Sequence, residues 1–340
     1  MENVYICIVM ARYIFNPEHD LCLASEEVDY IPPASAVEFA RQCRWIERYM
    51  ADGASAGGEI VPWGWNSALR KKLLQEGCPA DSLPDDNFLG FIRSNSRREG
   101  AVELLGQLWN DGGDSWKSGI VSPEYRIVAQ NIQEVEEFLG RKGRVVLKAP
   151  LSGSGKGIRF VAGELMETDR GWCRRTLERQ GGVVVEQRLD VEQEFAMLFG
   201  YGPDAEVRFV GYSLFYAANG AYKWNLLASN EHIEGLLGKW VAPDVLEKVH
   251  CGVERFLHER LDEAVGQGCR ILRGYVGVDQ FICRRGPGEE LLYNPAVEIN
   301  LRMTMGHVAR NIFDLHAEEL GLGEGTHCFE PLQGVIPAVI

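Results

Sequence analysis

The sequence predicts an α+β protein in which a small α/β unit, residues 1–92, leads into a larger strand-rich part, residues 93–340. Three observations carry this. Helix-period and strand-period apolar patterns alternate through the first 92 residues. A turn-rich connector, Asp111-Gly-Gly-Asp-Ser-Trp-Lys-Ser-Gly119, leads into the second part. Beyond it, short β-branched runs recur between amphipathic stretches, in a chain of 340 residues with room for about two domains.

Hydrophobic residues make up 46% and charged residues 25%, a balance that excludes wholesale disorder and fibrous repeats. Thirty-five basic against 49 acidic side chains give a net charge of −14. That excess argues against sequence-independent nucleic-acid binding and against an anionic membrane surface, since both depend on Lys and Arg. An anionic ligand therefore needs a local positive site. The apolar stretch 4–10 is far shorter than the roughly 20 residues that cross a bilayer. Met1-Glu2-Asn3 has no basic character and no small-residue cleavage site follows, so a cytoplasmic chain is expected. Nine cysteines without a C-x-x-C pair fit neither a disulfide framework nor a zinc site, and read as reduced, mostly buried residues.

In order along the chain, residues 5–15 read as a strand and Asn16-Pro-Glu-His-Asp20 as a polar turn. Phe39, Cys43, Ile46 and Met50 recur at helical spacing within an expected helix over 35–50. A small-residue loop at 53–58, a short strand at 59–62 and a helix at 67–75 complete the leading unit. No G-x-G-x-x-G follows the first strand, so the dinucleotide fingerprint is absent. A helix is expected over 94–109, strands at 125–128, 144–149, 158–161 and 182–187, and helices at 131–139 and 170–180. The last third adds strands at 194–199 and 207–217, a helix at 243–264 and a strand pair ending near Arg302.

The sharpest local feature is the strand Arg144-Val-Val-Leu-Lys148, the turn Ser152-Gly153-Ser154-Gly155-Lys156-Gly157 and a second strand from Ile158. Closely spaced glycines let backbone N–H groups converge on an oxyanion, as a phosphate cradle requires. A P-loop is excluded, because Pro150 and Gly157 stand where that motif needs Gly and Ser or Thr, and a strand follows instead of a helix. Lys148 closes an apolar strand, where a buried ammonium is costly unless an anion meets it. Alone, the segment also fits a flexible hairpin with a snorkelling lysine.

On the strand Val297-Glu298-Ile299-Asn300-Leu301-Arg302, the period of two puts Glu298, Asn300 and Arg302 on one face. A carboxylate and an amide oxygen suit Mg²⁺, and the guanidinium suits an anion beside it; a solvated strand face is the alternative. The preceding strand, residues 274–283, carries Asp279. If the two form a hairpin without a bulge, the midpoint of 279 and 298 falls between residues 288 and 289, inside the turn Arg285-Gly-Pro-Gly-Glu-Glu290. Asp279 then faces Glu298. Two carboxylates opposed across a ladder repel unless a cation lies between them. A third segment, Val183-Val-Val-Glu186-Gln187-Arg-Leu189, followed by Glu194-Phe-Ala, reads as an apolar strand bending through a polar hinge into the next strand.

Together, in this order and spacing, the three features resemble the ATP-grasp superfamily across about residues 95–315. The resemblance implies a two-lobed ATP-grasp fold holding ATP between α+β lobes, preceded by a pre-ATP-grasp α/β domain that residues 1–92 would fill. The nucleotide lobe would span about residues 121–190 and the metal/phosphate lobe about 191–315. It further implies that Lys148 holds phosphates and the adenine edge, and that Ser152, Gly153, Ser154, Gly155 and Gly157 fold over the β- and γ-phosphates. Glu186 and Gln187 would mark the adenine hinge, Leu189 would offer its backbone N–H to the base, and Glu194 would take the ribose hydroxyls. Asp279, Glu298 and Asn300 would bind Mg²⁺, and Arg302 would act with Lys148 on the transferred phosphoryl group. The family's other lysine is replaced here by Ser96-Arg97-Arg98, so Arg97 or Arg98 is expected to substitute, and Lys223 is a further candidate phosphate ligand.

The expected function is an ATP- and Mg²⁺-dependent ligase that activates a small-molecule carboxylate as an acyl phosphate and joins it to an amine or thiol. The alternative is an ATP-binding sensor or partner-binding module without turnover. Asn16-Pro-Glu-His-Asp20 and Pro62-Trp-Gly-Trp65 read as a capped turn and a buried aromatic corner, or as acceptor-binding elements. His307 reads as structural. The sequence assigns no oligomeric state.

Overall fold

The computed structural model describes residues 11–25, 27, 29–53, 58–153, 157–218 and 221–338. Most of the expected leading strand, with residues 5–10, lies outside them, as do Cys7 and the loop residues Ser154, Gly155 and Lys156. The described leading unit opens with strand β1 (Arg12–Ile14), helix α1 (His19–Ser25) and helix α2 (Ala34–Gln42), and β1 pairs in parallel with β2 (Ile60–Pro62). The helix expected over 35–50 breaks at Cys43 and continues as a 3₁₀ turn over Arg44–Tyr49. Cys43, Ile46 and Met50 are nevertheless fully buried, as their spacing requires. Helix α3 (Ser67–Gln75) is capped by Asn66, whose side chain accepts from the Leu69 N–H at 2.9 Å.

The single helix expected over 94–109 is two, α4 (Asp86–Asn95) and α5 (Glu99–Asp111), broken at residues 96–98. The break turns the two arginines in different directions. Helix α6 (Asp114–Lys117) lies in the connector, and strand β3 (Arg126–Ala129) begins the smaller sheet. Helix α7 (Ile132–Lys142), strands β4 (Arg144–Lys148) and β5 (Ile158–Ala162), helix α8 (Glu167–Gln180) and strand β6 (Val183–Gln187) follow. This sheet is antiparallel in the order β3-β6-β4-β5. Alternation along β4 and β6 sends Val145, Leu147, Val183 and Val185 against Phe138 and Leu139 of α7 and Cys173 of α8. The opposite face carries Val146, Lys148 and Glu186.

The larger sheet comprises β7 (Asp190–Tyr201), β8 (Val207–Ala218), β9 (Ala221–Leu227), then, after helices α9 (Asn230–Leu237) and α10 (Pro243–Gly266), β10 (Gly274–Arg284) and β11 (Leu292–Asn300). Helix α11 (Met305–Leu320) and strands β12 (His327–Glu330) and β13 (Gly334–Pro337) close the chain. Strand order is β11-β10-β7-β8-β9-β12-β13. Val276, Val278, Ile299 and Leu301 pack with Val253, Phe256, Leu257 and Leu261 of α10 in one core, which also takes in Leu23, Trp65, Leu69 and Leu73 of the leading unit. A second core joins Phe15, Ile46 and Trp63 to Val308 and Ile312 of α11 and Phe329 of β12. The described leading residues thus pack into cores shared with the larger sheet. The eight described cysteines are free, and no helix among the described residues is long and apolar enough to cross a membrane.

Candidate functional site

Asp279 pairs directly with Glu298 across the β10–β11 ladder, as the hairpin arithmetic expects. The hairpin does contain a bulge. Between the Asp279–Glu298 and Phe281–Asn294 pairs, β11 takes four steps where β10 takes two, so the turn is centred one residue earlier than expected. Pro295 lies in that bulge, where a residue without an N–H is tolerated. The bulge is held by the start of β3 and the residue before it: Asn294 Nδ2 donates to Tyr125 Oη at 2.7 Å, and Arg126 Nη2 donates to the Ala296 carbonyl at 2.5 Å.

Burial, reinforced by the facing Glu298, pushes the Asp279 carboxyl up to about 7. Asn300 Nδ2 donates to Asp279 Oδ2 at 3.1 Å, and its amide oxygen accepts from Arg302 Nη2 at 3.0 Å. Arg302 also grips Asp20 through Nε and Nη2, with contacts of 2.8–3.0 Å, and donates from Nη1 to the Met303 carbonyl at 3.1 Å. Four of its five N–H groups are therefore engaged within the chain. Trp63 lies under the guanidinium at 5.9 Å. The pairing outweighs burial and holds Asp20 below the usual carboxylate range.

The turn Asn16–Asp20 and the corner Pro62–Trp65 meet here. Asn16 Nδ2 donates to the Gly64 carbonyl at 2.9 Å, and the His19 ring lies on Gly64 so closely that a Cβ there would sit 2.6 Å from Nδ1. Asn66 Nδ2 faces His19 Nδ1 at 3.3 Å. Burial pushes His19 down to about 4, so it is neutral near pH 7. Both motifs are thus structural in their buried parts, while Asp20 faces the site. His307 is structural: its Nδ1 accepts from the Thr304 N–H at 3.2 Å and its Nε2 meets the Phe199 carbonyl at 3.1 Å, with burial lowering it to about 4.

On the smaller sheet Lys148 Nζ pairs with Glu186 Oε2 at 2.7 Å, and Arg126 Nε stands 3.7 Å from Oε1 of the same carboxylate. Lys148 does not snorkel: it is 8% exposed, with Glu186 as its anion. Burial opposes ionisation of Glu186, but Lys148 and Arg126 outweigh it and keep the carboxyl below its usual range. Gln187 pairs with Val145, so alternation turns its side chain to the helix-covered face, away from Lys148. Leu189 lies in the two-residue link between β6 and β7. Glu194 Oε2 accepts from the Ala217 N–H at 3.0 Å, and burial raises its carboxyl. Lys223 is exposed on β9, at the bulge where the β8–β9 pairing passes from Trp224 to Tyr222.

The glycine-rich turn closes through the Ala149 N–H and the Gly157 carbonyl at 2.9 Å. A Cβ on Gly157 would strike the Ser152 side chain at 2.2 Å, and one on Gly153 would meet Leu21 of α1 at 3.3 Å. Arg98 joins this turn to the carboxylates. Its Nη1 donates to the Ala149 carbonyl at 2.5 Å and Ser152 Oγ at 2.8 Å, while Nη2 pairs with Glu298 Oε1 at 2.9 Å. Arg97 points elsewhere. It pairs with Glu99 at 2.6 Å and donates to the Gln180 carbonyl at 2.7 Å, on the wall of a groove of about 660 Å³ bounded by α4, α5 and the end of α10. Asp20, Arg98 and Arg126 are the site residues that sequence reasoning missed or left undecided. An arginine opening the apolar run after Tyr125 was the available signal for Arg126.

Among the described residues no group of three or more His, Cys, Asp and Glu could hold a metal ion. The two opposed carboxylates nevertheless suit Mg²⁺ completed by phosphate oxygens and water, and a cation would relieve the repulsion that raises Asp279. Asn300 could contribute only by sharing or releasing the oxygen held by Arg302.

No protein-family model matches the chain, and no curated protein matches it. The chain is similar to solved structures at low sequence identity. One is N5-carboxyaminoimidazole synthetase from Staphylococcus aureus complexed with ADP, at 14% identity and TM-score 0.42, covering 89% of this chain and 76% of that one. Another is D-alanyl-alanine synthetase A from Vibrio cholerae, at 15% identity and TM-score 0.41, covering 86% and 89%. A biotin carboxylase β,γ-ATP complex from Campylobacter jejuni matches at 13% identity and TM-score 0.46 over 93% of this chain, which spans only 65% of that chain's length.

Proposed function

We propose that the protein is an ATP- and Mg²⁺-dependent ligase of the ATP-grasp kind, which activates a small-molecule carboxylate as an acyl phosphate and joins it to an amine or thiol. The observation that carries this reading is Arg98, one buried guanidinium touching both Ser152 at the base of the glycine-rich turn and Glu298 of the opposed carboxylate pair. A phosphate turn and a cation-binding pair held together in this way suit a nucleoside triphosphate bound along its phosphates.

In this reading Lys148 and the backbone of the turn bind phosphate oxygens, Glu194 takes ribose hydroxyls, and the backbone near Leu189 meets the base. Asp279 and Glu298 would hold Mg²⁺, with Asn300 beside them; the ion supplies charge neutralisation to the phosphates. The substrate carboxylate attacks the γ-phosphorus and the bond to the β-phosphate oxygen breaks, releasing ADP. An amine nitrogen or thiol sulfur then attacks the acyl carbon, phosphate leaves and the nucleophile loses its proton. Little covalent work falls to side chains in phosphoryl transfer, so no nucleophilic triad is required. For Arg302 to steady the acyl phosphate, Asp20 must share or yield its grip.

That grip favours a second reading, a Mg·ATP-binding module without turnover, in which Arg302 stays locked to Asp20. Incubation with a metabolite pool and Mg·ATP, followed by mass spectrometry, separates the two. ADP with a new amide or thioester supports the ligase; tight Mg·ATP binding without consumption supports the module. AMP formation would contradict the acyl-phosphate route.

A further inference from the structure

We infer that Gln180 is a positioning residue that, with Arg97 behind it, clamps the base of the glycine-rich turn and so sets its affinity for nucleotide phosphates; this rests on the nucleotide reading proposed above. Gln180 is the last residue of α8, before Gly181 at φ 76°. Its side-chain amide imitates a peptide group. Oε1 accepts from the Leu151 N–H at 2.7 Å and Nε2 donates to the Leu151 carbonyl at 3.0 Å. Its own backbone carbonyl accepts from Arg97 Nη2 at 2.7 Å, and the same nitrogen is tied to Glu99 at 2.6 Å.

Neighbouring contacts make the clamp continuous. Arg98 holds Ala149 and Ser152 through Nη1, and its backbone N–H donates to the Pro150 carbonyl at 3.0 Å. Residues 149, 150, 151 and 152 are therefore each bonded from outside the turn, Leu151 by Gln180. Only a side-chain amide of this length offers a donor and an acceptor at the spacing of one residue's N–H and C=O. Glutamate lacks the donor, methionine both, and asparagine is one methylene short. A turn whose base is already ordered loses less freedom when phosphates bind. Arg97 thus acts on the turn through Gln180 without reaching the nucleotide.

The test uses the full chain as wild type, Gln180→Met, Gln180→Glu and Arg97→Met, with β,γ-methylene ATP plus Mg²⁺ and, separately, adenosine as probes. Gln180→Met should weaken the methylene ATP complex about tenfold, the scale of one or two neutral hydrogen bonds, and leave adenosine within about twofold. Gln180→Glu should fall between, and Arg97→Met should shift the same way. Amide hydrogen exchange over residues 149–153 should quicken in Gln180→Met. Unchanged affinity for methylene ATP, or an equal loss for both probes, would overturn the inference. If wild type binds neither probe, the nucleotide reading falls and takes the effect on affinity with it, whereas unchanged exchange in Gln180→Met refutes the clamp itself even if nucleotide binds.

Discussion

Replacing Asp279 by Asn should stabilise the metal-free protein above neutral pH while removing its response to Mg²⁺. Burial and the directly opposed Glu298 raise the Asp279 carboxyl from 3.8 to about 7. Between those values the native state holds a proton that the unfolded chain has released. Its contribution is therefore fully present below about pH 4 and lost as pH rises through about 7. At about 1.4 kcal/mol per pH unit the loss approaches about 4 kcal/mol. Asn keeps an acceptor for Asn300 Nδ2 but gives up its charge assistance, about 1 kcal/mol, leaving a net gain of about 2–3 kcal/mol at pH 8. For a chain of 340 residues unfolding as one unit, that corresponds to a rise in Tm of about 3–4 °C. Thermal melts of wild type and Asp279→Asn at pH 8 and pH 5, with and without Mg²⁺, measure it. The advantage should be nearly gone at pH 5, and Mg²⁺ should raise the Tm of wild type alone. An Asp279→Asn variant no more stable than wild type at pH 8, or one whose advantage ignores pH, would refute the account of the opposed pair.

Glu298→Gln should abolish ADP formation while its circular dichroism matches wild type; retained turnover would remove Glu298 from the cation site. Gly64→Ala drives a methyl into the His19 ring and should cost about 1–3 kcal/mol in urea unfolding, with no loss showing that the corner can relax. His19 and His307, both lowered to about 4, remain neutral in the fold while the unfolded imidazoles take up protons near 6.5. Their contribution is lost as pH falls from about 6.5 towards 4, so urea midpoints should drop between pH 7 and pH 5. A His19→Gln variant should show a smaller drop.

The elements legible in the sequence were those with a strong local period. Helix α3 begins and ends where its pattern does, and β4, β6 and α10 lie within a few residues of expectation. The expectation of one helix over 94–109 ran across the break between α4 and α5, although Ser94-Asn-Ser-Arg-Arg-Glu-Gly100 holds no apolar residue to set a helical period there. The break decides the site, since it directs Arg97 to Gln180 and Arg98 to Glu298. The bulge on β11 had a signal in Pro295, which a regular ladder disfavours, but its contacts with Tyr125 and Arg126 come from a distant segment.

By itself the sequence determined that Asp279 faces Glu298 with Asn300 on the same strand face, because alternation on a strand is local geometry and the register of a hairpin is anchored by its turn; that Lys148 meets Glu186 was not among its readings, since β4 and β6 are brought together only by the packing of the smaller sheet. Tertiary structure alone decided which charges neutralise which. Asp20 reaches Arg302 across 282 positions, and Arg98 reaches Glu298 from a helix break. Such pairings depend on how separate sheets and helices pack, and in a buried site with several carboxylates no local pattern encodes the choice.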